Sequence, residues 1–276
     1  MIIALIIIAA LILIYFFMIF PAPASKAARA TFARRNYAHR GFYDNETDRP
    51  ENTLPAFEAA MQHGYGCELD VQFTSDKKLI VFHDNDYKRS SGVDKKVWEV
   101  SYEEAKKIKL FKSGETVPLF SEVLDTVAGR EPLIVEIKAE GVNCEWYYEV
   151  CEATLKLLRE YKGDFCVESF HPMVVRWFKK NAPDIVRGQL VNGWRRWKKA
   201  IPTAAAIAID KGLSNLLARP NFLAFHEEDV NGSMRLAQKL GALSVMWTVR
   251  SEERLEELKK TEDAVIFERF APSPKY

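Results

Sequence analysis

Residues 2–20 read IIALIIIAALILIYFFMIF, with no charged side chain. As a helix this run is ~28 Å long, close to the hydrocarbon thickness of a bilayer. It is apolar on every side, so it offers no face to water. Pro21 and Pro23 end it, because proline removes a helical donor and clashes with the preceding turn. Two fates fit such a segment. A cleaved signal peptide suits the small residues around Ala22-Pro23-Ala24. An uncleaved anchor suits the absence of Lys or Arg before the run, and the run is longer than a usual signal core. The sequence therefore predicts a transmembrane anchor over 1–21, a basic juxtamembrane linker over 22–35 and a catalytic-sized domain over 36–276. Lys26, Arg29, Arg34 and Arg35 all follow the span, so the positive-inside bias predicts a cytoplasmic domain.

The rest of the chain can build a sizeable core. Of its 276 residues 48% are hydrophobic and 28% charged, and the formal net charge is +1. That balance argues against nucleic acid as a partner and leaves anion recognition to a local site. Cys67, Cys144, Cys151 and Cys166 form no Cys-x-x-Cys pair and no zinc spacing with histidine, so they read as buried thiols suited to a reducing compartment.

From Asn36 onward short apolar runs alternate with amphipathic stretches. Strands are predicted at Tyr37–Arg40, Cys67–Phe73, Leu79–His83, Leu133–Lys138, Phe165–Ser169, Val186–Leu190, Phe222–Phe225, Val245–Val249 and Val265–Phe267. Helices are predicted from Thr53 to His63, after the capping box Ser101-Tyr102-Glu103-Glu104, over Trp146–Tyr161 and Met173–Lys180, and after Ser251. Repeated strand–helix units favour an α/β fold, a closed TIM (β/α)8 barrel, with the doubly wound open sheet as runner-up.

In Cys67-Glu68-Leu69-Asp70-Val71-Gln72-Phe73 the side chains alternate, so Glu68 and Asp70 share the face opposite the apolar one. In a barrel those acids point inward. Glu136 and Lys138 do the same on the strand Leu133–Lys138. Three inward carboxylates, Glu68, Asp70 and Glu136, suit one hard divalent cation, Ca²⁺ or Mg²⁺, and the competing reading is a set of structural ion pairs. His39 and His83 close their strands, where barrel enzymes place catalytic groups, and the cations Arg40 and Lys138 lie nearby.

The motifs Ala38-His39-Arg40-Gly41, Pro50-Glu51-Asn52-Thr53-Leu54-Pro55-Ala56-Phe57, Glu68-Leu69-Asp70-Val71 and Phe82-His83-Asp84 are followed by Val117–Leu124, Val135-Glu136-Ile137-Lys138, Glu168-Ser169-Phe170 and Trp247-Thr248-Val249, in that order from about Tyr37 to Phe267. In these motifs the chain resembles the glycerophosphodiester phosphodiesterases. The resemblance implies a barrel with a small insertion after the second strand, roughly 84–129. It implies that Glu68, Asp70 and Glu136 hold the metal, that His39 and His83 exchange protons with substrate, and that Arg40 and Lys138 hold phosphate oxygens. The implied reaction is hydrolysis of glycerophosphodiesters to glycerol 3-phosphate and an alcohol. The alternatives are head-group release from membrane lysophospholipids, or a catalytically silent barrel that binds lipid or protein.

Phe170 and Trp247 are candidates for the substrate mouth, or else core aromatics. Arg250 and the stretch Ile266–Pro272, which includes Glu268, depart from the residues common in relatives and bear on substrate preference. His63, His171 and His226 read as structural. Trp194-Arg195-Arg196-Trp197-Lys198-Lys199 mixes aromatics with cations and reads either as a solvated basic segment or as a surface for anionic headgroups.

Overall fold

The computed structural model describes residues 1–139, 143–198 and 201–276; Lys199 of the basic–aromatic stretch lies outside them. Its strands are β1 (Arg35–His39), β2 (Gly66–Phe73), β3 (Leu79–Val81), β4 (Leu133–Ile137), β5 (Phe165–Ser169), β6 (Arg187–Val191), β7 (Phe222–His226), β8 (Leu243–Val249) and β9 (Ala264–Phe267). They pair in the order β1-β9-β8-β7-β6-β5-β4-β2, and β1 pairs with β2 to close the ring. All of these pairings are parallel, giving an eight-stranded barrel, while β3 lies antiparallel on the free stretch of β2. Closure settles the choice between barrel and open sheet.

Two buried layers follow from the alternation along each strand. Cys67, Leu69, Val71, Leu133, Val135, Ile137, Val167 and Phe225 face outward and pack with the surrounding helices. Tyr37, Ile134, Cys166, Phe222, Leu243 and Val245 point inward and fill the lower barrel. This inner layer is sealed by the helix Lys26–Phe32, whose Ala28 and Phe32 join it. The stretch read as a basic linker thus contains a helix that plugs the barrel floor. The Tyr37 hydroxyl donates to the Phe32 carbonyl at 3.2 Å, tying plug to barrel.

The extra segment after the second strand has its own small core of Ile80, Phe82, Tyr87, Val97, Val100, Tyr102, Ala105, Leu110 and Val117. The capping box forms: Ser101 Oγ accepts from the Glu104 amide, and Glu104 accepts from the Ser101 amide at 2.9 Å. The helix Phe120–Val127, however, belongs to the barrel, because Phe120, Val123, Leu124 and Val127 pack into the main core. The segment with its own small core thus draws its residues from Ile80 to Val117, beside the expected insertion at about 84–129.

The helix Ile2–Ile19 has a mean hydropathy of 3.3 and is almost wholly exposed. By length and composition it can cross a membrane, a test that a signal sequence also passes. Its C-terminal end is fixed to the barrel's flank. Asn215 Nδ2 donates to the Ile19 carbonyl at 2.9 Å, Arg219 Nη1 to the Phe17 carbonyl at 2.8 Å, and Tyr15 shares a 2.7 Å hydrogen bond with Ser233.

Candidate active site

Strand register brings the acids together. His39 on β1 lies beside Glu68 on β2, while Asp70, Glu136 and Glu168 form one row across β2, β4 and β5. Glu68, Asp70 and Glu136 each present an oxygen within 4.8 Å of the others, and all three are buried. Burial pushes the Glu68 carboxyl well above its usual range, and the carboxylates of Asp70, Glu136 and Glu168 push it further. Asp70 goes the other way. Burial opposes its ionisation, but His83, Lys138 and Arg40, with the Asn52 amide donating at 2.9 Å, outweigh it.

Lys138 Nζ lies 2.9 Å from Glu136 and 3.6 Å from Asp70. Asp70 Oδ1 and Glu168 Oε2 are buried and accept no hydrogen bond among the described residues. Clustered buried carboxylate oxygens with unused lone pairs fit a hard divalent cation.

Both histidines are backed by a carboxylate. His39 Nδ1 is 2.7 Å from Glu268 Oε2, and its Nε2 is 3.9 Å from Glu68. Glu268 also accepts from the Tyr43 hydroxyl at 2.9 Å and from Arg250 Nε at 2.8 Å. His83 Nδ1 is 2.7 Å from Asp84 Oδ1, and Arg89 Nε donates to the other Asp84 oxygen at 2.6 Å. Arg89 continues to Glu51 at 2.6 and 3.0 Å, and Glu51 in turn accepts from Arg40 Nη1 at 2.7 Å. A carboxylate at Nδ1 selects the tautomer with hydrogen on Nδ1 and leaves Nε2 as the basic nitrogen. Burial lowers the pKa of both rings, aided by Arg40 at His39 and by Lys138 at His83.

The loop after β1 carries backbone strain. Arg40 and Asn52 sit at φ 56° and 57°, in the left-handed region, and Asn52 N–H donates to the Arg40 carbonyl at 2.9 Å. Such residues cost roughly 1–3 kcal/mol each and persist where the surroundings fix them. Gly41 between them has φ 80°, and a Cβ there would lie 2.8 Å from the Ala56 carbonyl carbon. Only glycine passes that close to the following helix.

A pocket of about 180 Å³ opens at the C-terminal ends of the strands, lined by His39, Arg40, Glu68, His83, Glu136, Phe170 and Trp247 among others. Seven predicted site residues thus share one cavity, and Asp70 and Lys138 contact its lining, Asp70 at 3.6 Å from Arg40 and Lys138 at 2.9 Å from Glu136. Phe170 and Trp247 pack edge to face at 5.6 Å on its rim. Residue-by-residue reading did not assign roles to Glu168, Glu268, Arg250, Asp84, Glu51 or Arg89. Glu168 repeats the inward alternation on β5, which is a readable signal; Glu268 and Arg250 had drawn notice only as departures. The histidines read as structural have other contacts: His63 Nδ1 meets the Ala59 carbonyl at 2.8 Å, His171 accepts from the Met173 amide at 3.3 Å, and His226 packs edge-on against Trp247 at 5.2 Å.

Fold and site together define a (β/α)8 barrel with carboxylate-backed histidines and a cluster of acids at the C-terminal ends of its strands. The chain belongs to the Glycerophosphoryl diester phosphodiesterase family, which matches residues 39–270. A glycerophosphodiester phosphodiesterase of Bacillus altitudinis is 35% identical over 159 residues, 54% of this chain and 63% of that protein. The chain therefore spans a little under two thirds of that bacterial relative. Glycerophosphodiester phosphodiesterase 1 of Mus musculus is 35% identical over 235 residues, 75% of this chain and 68% of that protein. The structure of an Oleispira antarctica phosphodiesterase in complex with the product sn-glycerol-3-phosphate shares the fold, with TM-score 0.68, 22% identity, and coverage of 85% of this chain and 93% of that one.

Proposed function

We propose that this protein hydrolyses glycerophosphodiesters to glycerol 3-phosphate and an alcohol, with His39 and His83 as paired acid and base beside one divalent cation, Ca²⁺ or Mg²⁺. The observation that carries the reading is one pocket lined by two carboxylate-backed histidines together with Glu68 and Glu136 of the buried acid cluster that includes Asp70. The family match and the names of the Bacillus and mouse relatives support the substrate class, as does the product bound in the Oleispira protein.

Glu68, Asp70 and Glu136 would hold the cation, which when bound supplies Lewis acidity and neutralises phosphate charge. Arg40 and Lys138 add positive charge for the non-bridging oxygens as the transition state forms. One imidazole, neutral and basic at Nε2, takes the proton of the attacking hydroxyl, whether water or the glycerol's own neighbouring hydroxyl. The other, protonated, donates to the leaving alkoxide. Glu268 and Asp84 fix ring orientation and stabilise each imidazolium, as the buried acid does in a catalytic triad. Phe170 and Trp247 border the path by which substrate enters. A silent binding barrel has no need of this complete set of acids and bases.

The helix Ile2–Ile19 anchors the domain to a membrane in this reading, with the barrel on the cytoplasmic side. Glycerol 3-phosphate release from glycerophosphocholine by the full chain, with His39→Ala and His83→Ala as controls, tests the function. Metal-dependent product absent in both variants supports it; equal product from either variant defeats it.

A further inference from the structure

The helix Ile2–Ile19 is held to the barrel along its last turn. Tyr15 meets Ser233, Met18 borders an apolar groove on the barrel, and Asn215 donates to the Ile19 carbonyl. Arg219 donates to the Phe17 carbonyl and lies 4.8 Å over the Phe17 ring. These contacts leave Ile2–Ile14 clear, ~20 Å of helix, against a hydrocarbon core of about 30 Å. For this helix to span a bilayer its docked end must lie at the interface. The barrel surface around that end is then drawn to the interface with it.

Three short helices between β6 and β7 make up that surface: Trp194–Trp197, Thr203–Asp210 and Asn215–Ala218. Trp197, Ala205, Ala208 and Leu217 border the same groove as Met18, so these helices and the end of the long one share one face. Ile207 and Leu217 are 39% and 44% exposed, and among the described residues they are the only large exposed hydrophobics outside the N-terminal segment. On the first of the short helices Arg196 pairs with Glu228 and Asp229. Arg195 and Lys198 have no carboxylate partner among the described residues, and each lies 5.6 Å from the Trp194 ring. Exposed aliphatic side chains, indoles and cations side by side suit the boundary between acyl chains and anionic headgroups.

We propose that the face formed by these three helices is a second membrane contact, which lays the barrel on an anionic bilayer surface. Ile207 and Leu217 enter the acyl boundary, and Arg195 and Lys198 meet lipid phosphates. The proposal rests on the reading of Ile2–Ile19 as a membrane anchor and adds the orientation of the barrel beneath it. One tether leaves a barrel free to turn; a second contact fixes it. Trp197 packs edge to face on Phe170 at 5.2 Å, so the fixed orientation holds the rim of the catalytic pocket beside the membrane.

The test places single nitroxide labels on the full chain in phosphatidylcholine nanodiscs, with and without phosphatidylserine. A Cys144→Ser background removes the exposed native thiol. Labels go at Ile207→Cys and Leu217→Cys on the face, and at Ile7→Cys within the anchor. A control label goes at Gln62→Cys, exposed on the helix that follows β1, the strand opposite β6 in the ring. Power saturation compares relaxation by oxygen, which enters lipid, with relaxation by a water-soluble nickel chelate. The expected result is oxygen preference at Ile7 in both discs, oxygen preference at Ile207 and Leu217 with phosphatidylserine, and nickel preference at Gln62 throughout. Arg195→Ala/Lys198→Ala, folded by circular dichroism, should lower the ratio of docked to free barrels roughly fivefold for each cation removed. Nickel preference at Ile207 and Leu217 while Ile7 sits in lipid overturns the docked face and leaves the anchor standing. Nickel preference at Ile7 overturns the anchor and the face together. Oxygen preference at Ile207 that is equal in both discs and survives the double variant overturns the anionic surface as the partner.

Discussion

Replacing Glu268 by Gln removes the acid behind His39 while keeping its volume. In the native protein Glu268 meets His39 Nδ1 at 2.7 Å and is itself held by Tyr43 and Arg250. Burial disfavours its charge, but hydrogen bonding and attraction from His39, then Arg250, hold the carboxyl well below the usual range. It is therefore held as an anion at neutral pH. A Gln amide can offer its N–H₂ to Nδ1, which moves the ring proton to Nε2 and removes the base. A charge-assisted hydrogen bond contributes roughly 1.5–3 kcal/mol, which converts to a fall in kcat of roughly 10- to 150-fold. Arg250 is half exposed, so water replaces its partner and folding is little affected. Steady-state kinetics on glycerophosphocholine should show the loss in kcat with KM nearly constant, and circular dichroism should be unchanged. Activity within twofold of the native value, or a loss confined to KM, would refute the orienting role of Glu268.

Burial disfavours the charge on Glu51, but hydrogen bonds from Arg89, Arg40 and Asn45 outweigh it and lower its pKa from 4.5 to about 2. A depressed carboxyl contributes stability above its unfolded pKa, here about 3 kcal/mol at pH 7 by linkage. Glu51→Gln should therefore unfold at lower denaturant at pH 7, with the gap to native closing as pH falls from about 4.5 towards 2; a constant gap would contradict the assignment. Phe32 plugs the barrel floor against Tyr37, Ile134 and Phe222. Phe32→Ala should cost about 3–5 kcal/mol in denaturant unfolding while kcat of the folded fraction is retained.

The barrel was largely legible because period-two alternation and strand–turn–helix order are local. The strand Phe165–Ser169 falls where the pattern put it, and the capping box at Ser101 forms with both its reciprocal contacts. The short helices between β6 and β7 were not legible. Thr203–Asp210 is rich in alanine, has Pro202 at its start and no side-chain cap, so no start signal marks it. Phe32 is the one large apolar residue in a basic stretch, and only closure of the barrel turns it into a floor. Thr53 stands at the start of its helix as read, yet its hydroxyl donates to the Pro50 carbonyl at 2.5 Å rather than capping.

At the site, the same split holds. Glu68, Asp70 and Glu136 were found because two strands carry them on one face. Glu268 meets a histidine 229 residues away, and that meeting is made by the pairing of β1 with β9, the first and last strands of the chain. Asp84 and Arg89 are close in sequence to His83, but the link from Arg89 through Glu51 to Arg40 crosses from the insertion to the loop after β1. No linear pattern announces such a network.

The most direct test of the central claim is a metal titration. Chelator-treated full chain would be titrated with Ca²⁺ and with Mg²⁺, following thermal unfolding and glycerophosphocholine hydrolysis, beside a Glu68→Gln/Asp70→Asn double variant. Saturation to 100 times Kd adds about 2.7 kcal/mol, or a rise in Tm of about 5–10 °C for a domain of this size. The account predicts that rise, with activity returning in step, for the native chain and for neither readout in the double variant. Full hydrolysis in chelator, or an equal rise in Tm for the double variant, would contradict it.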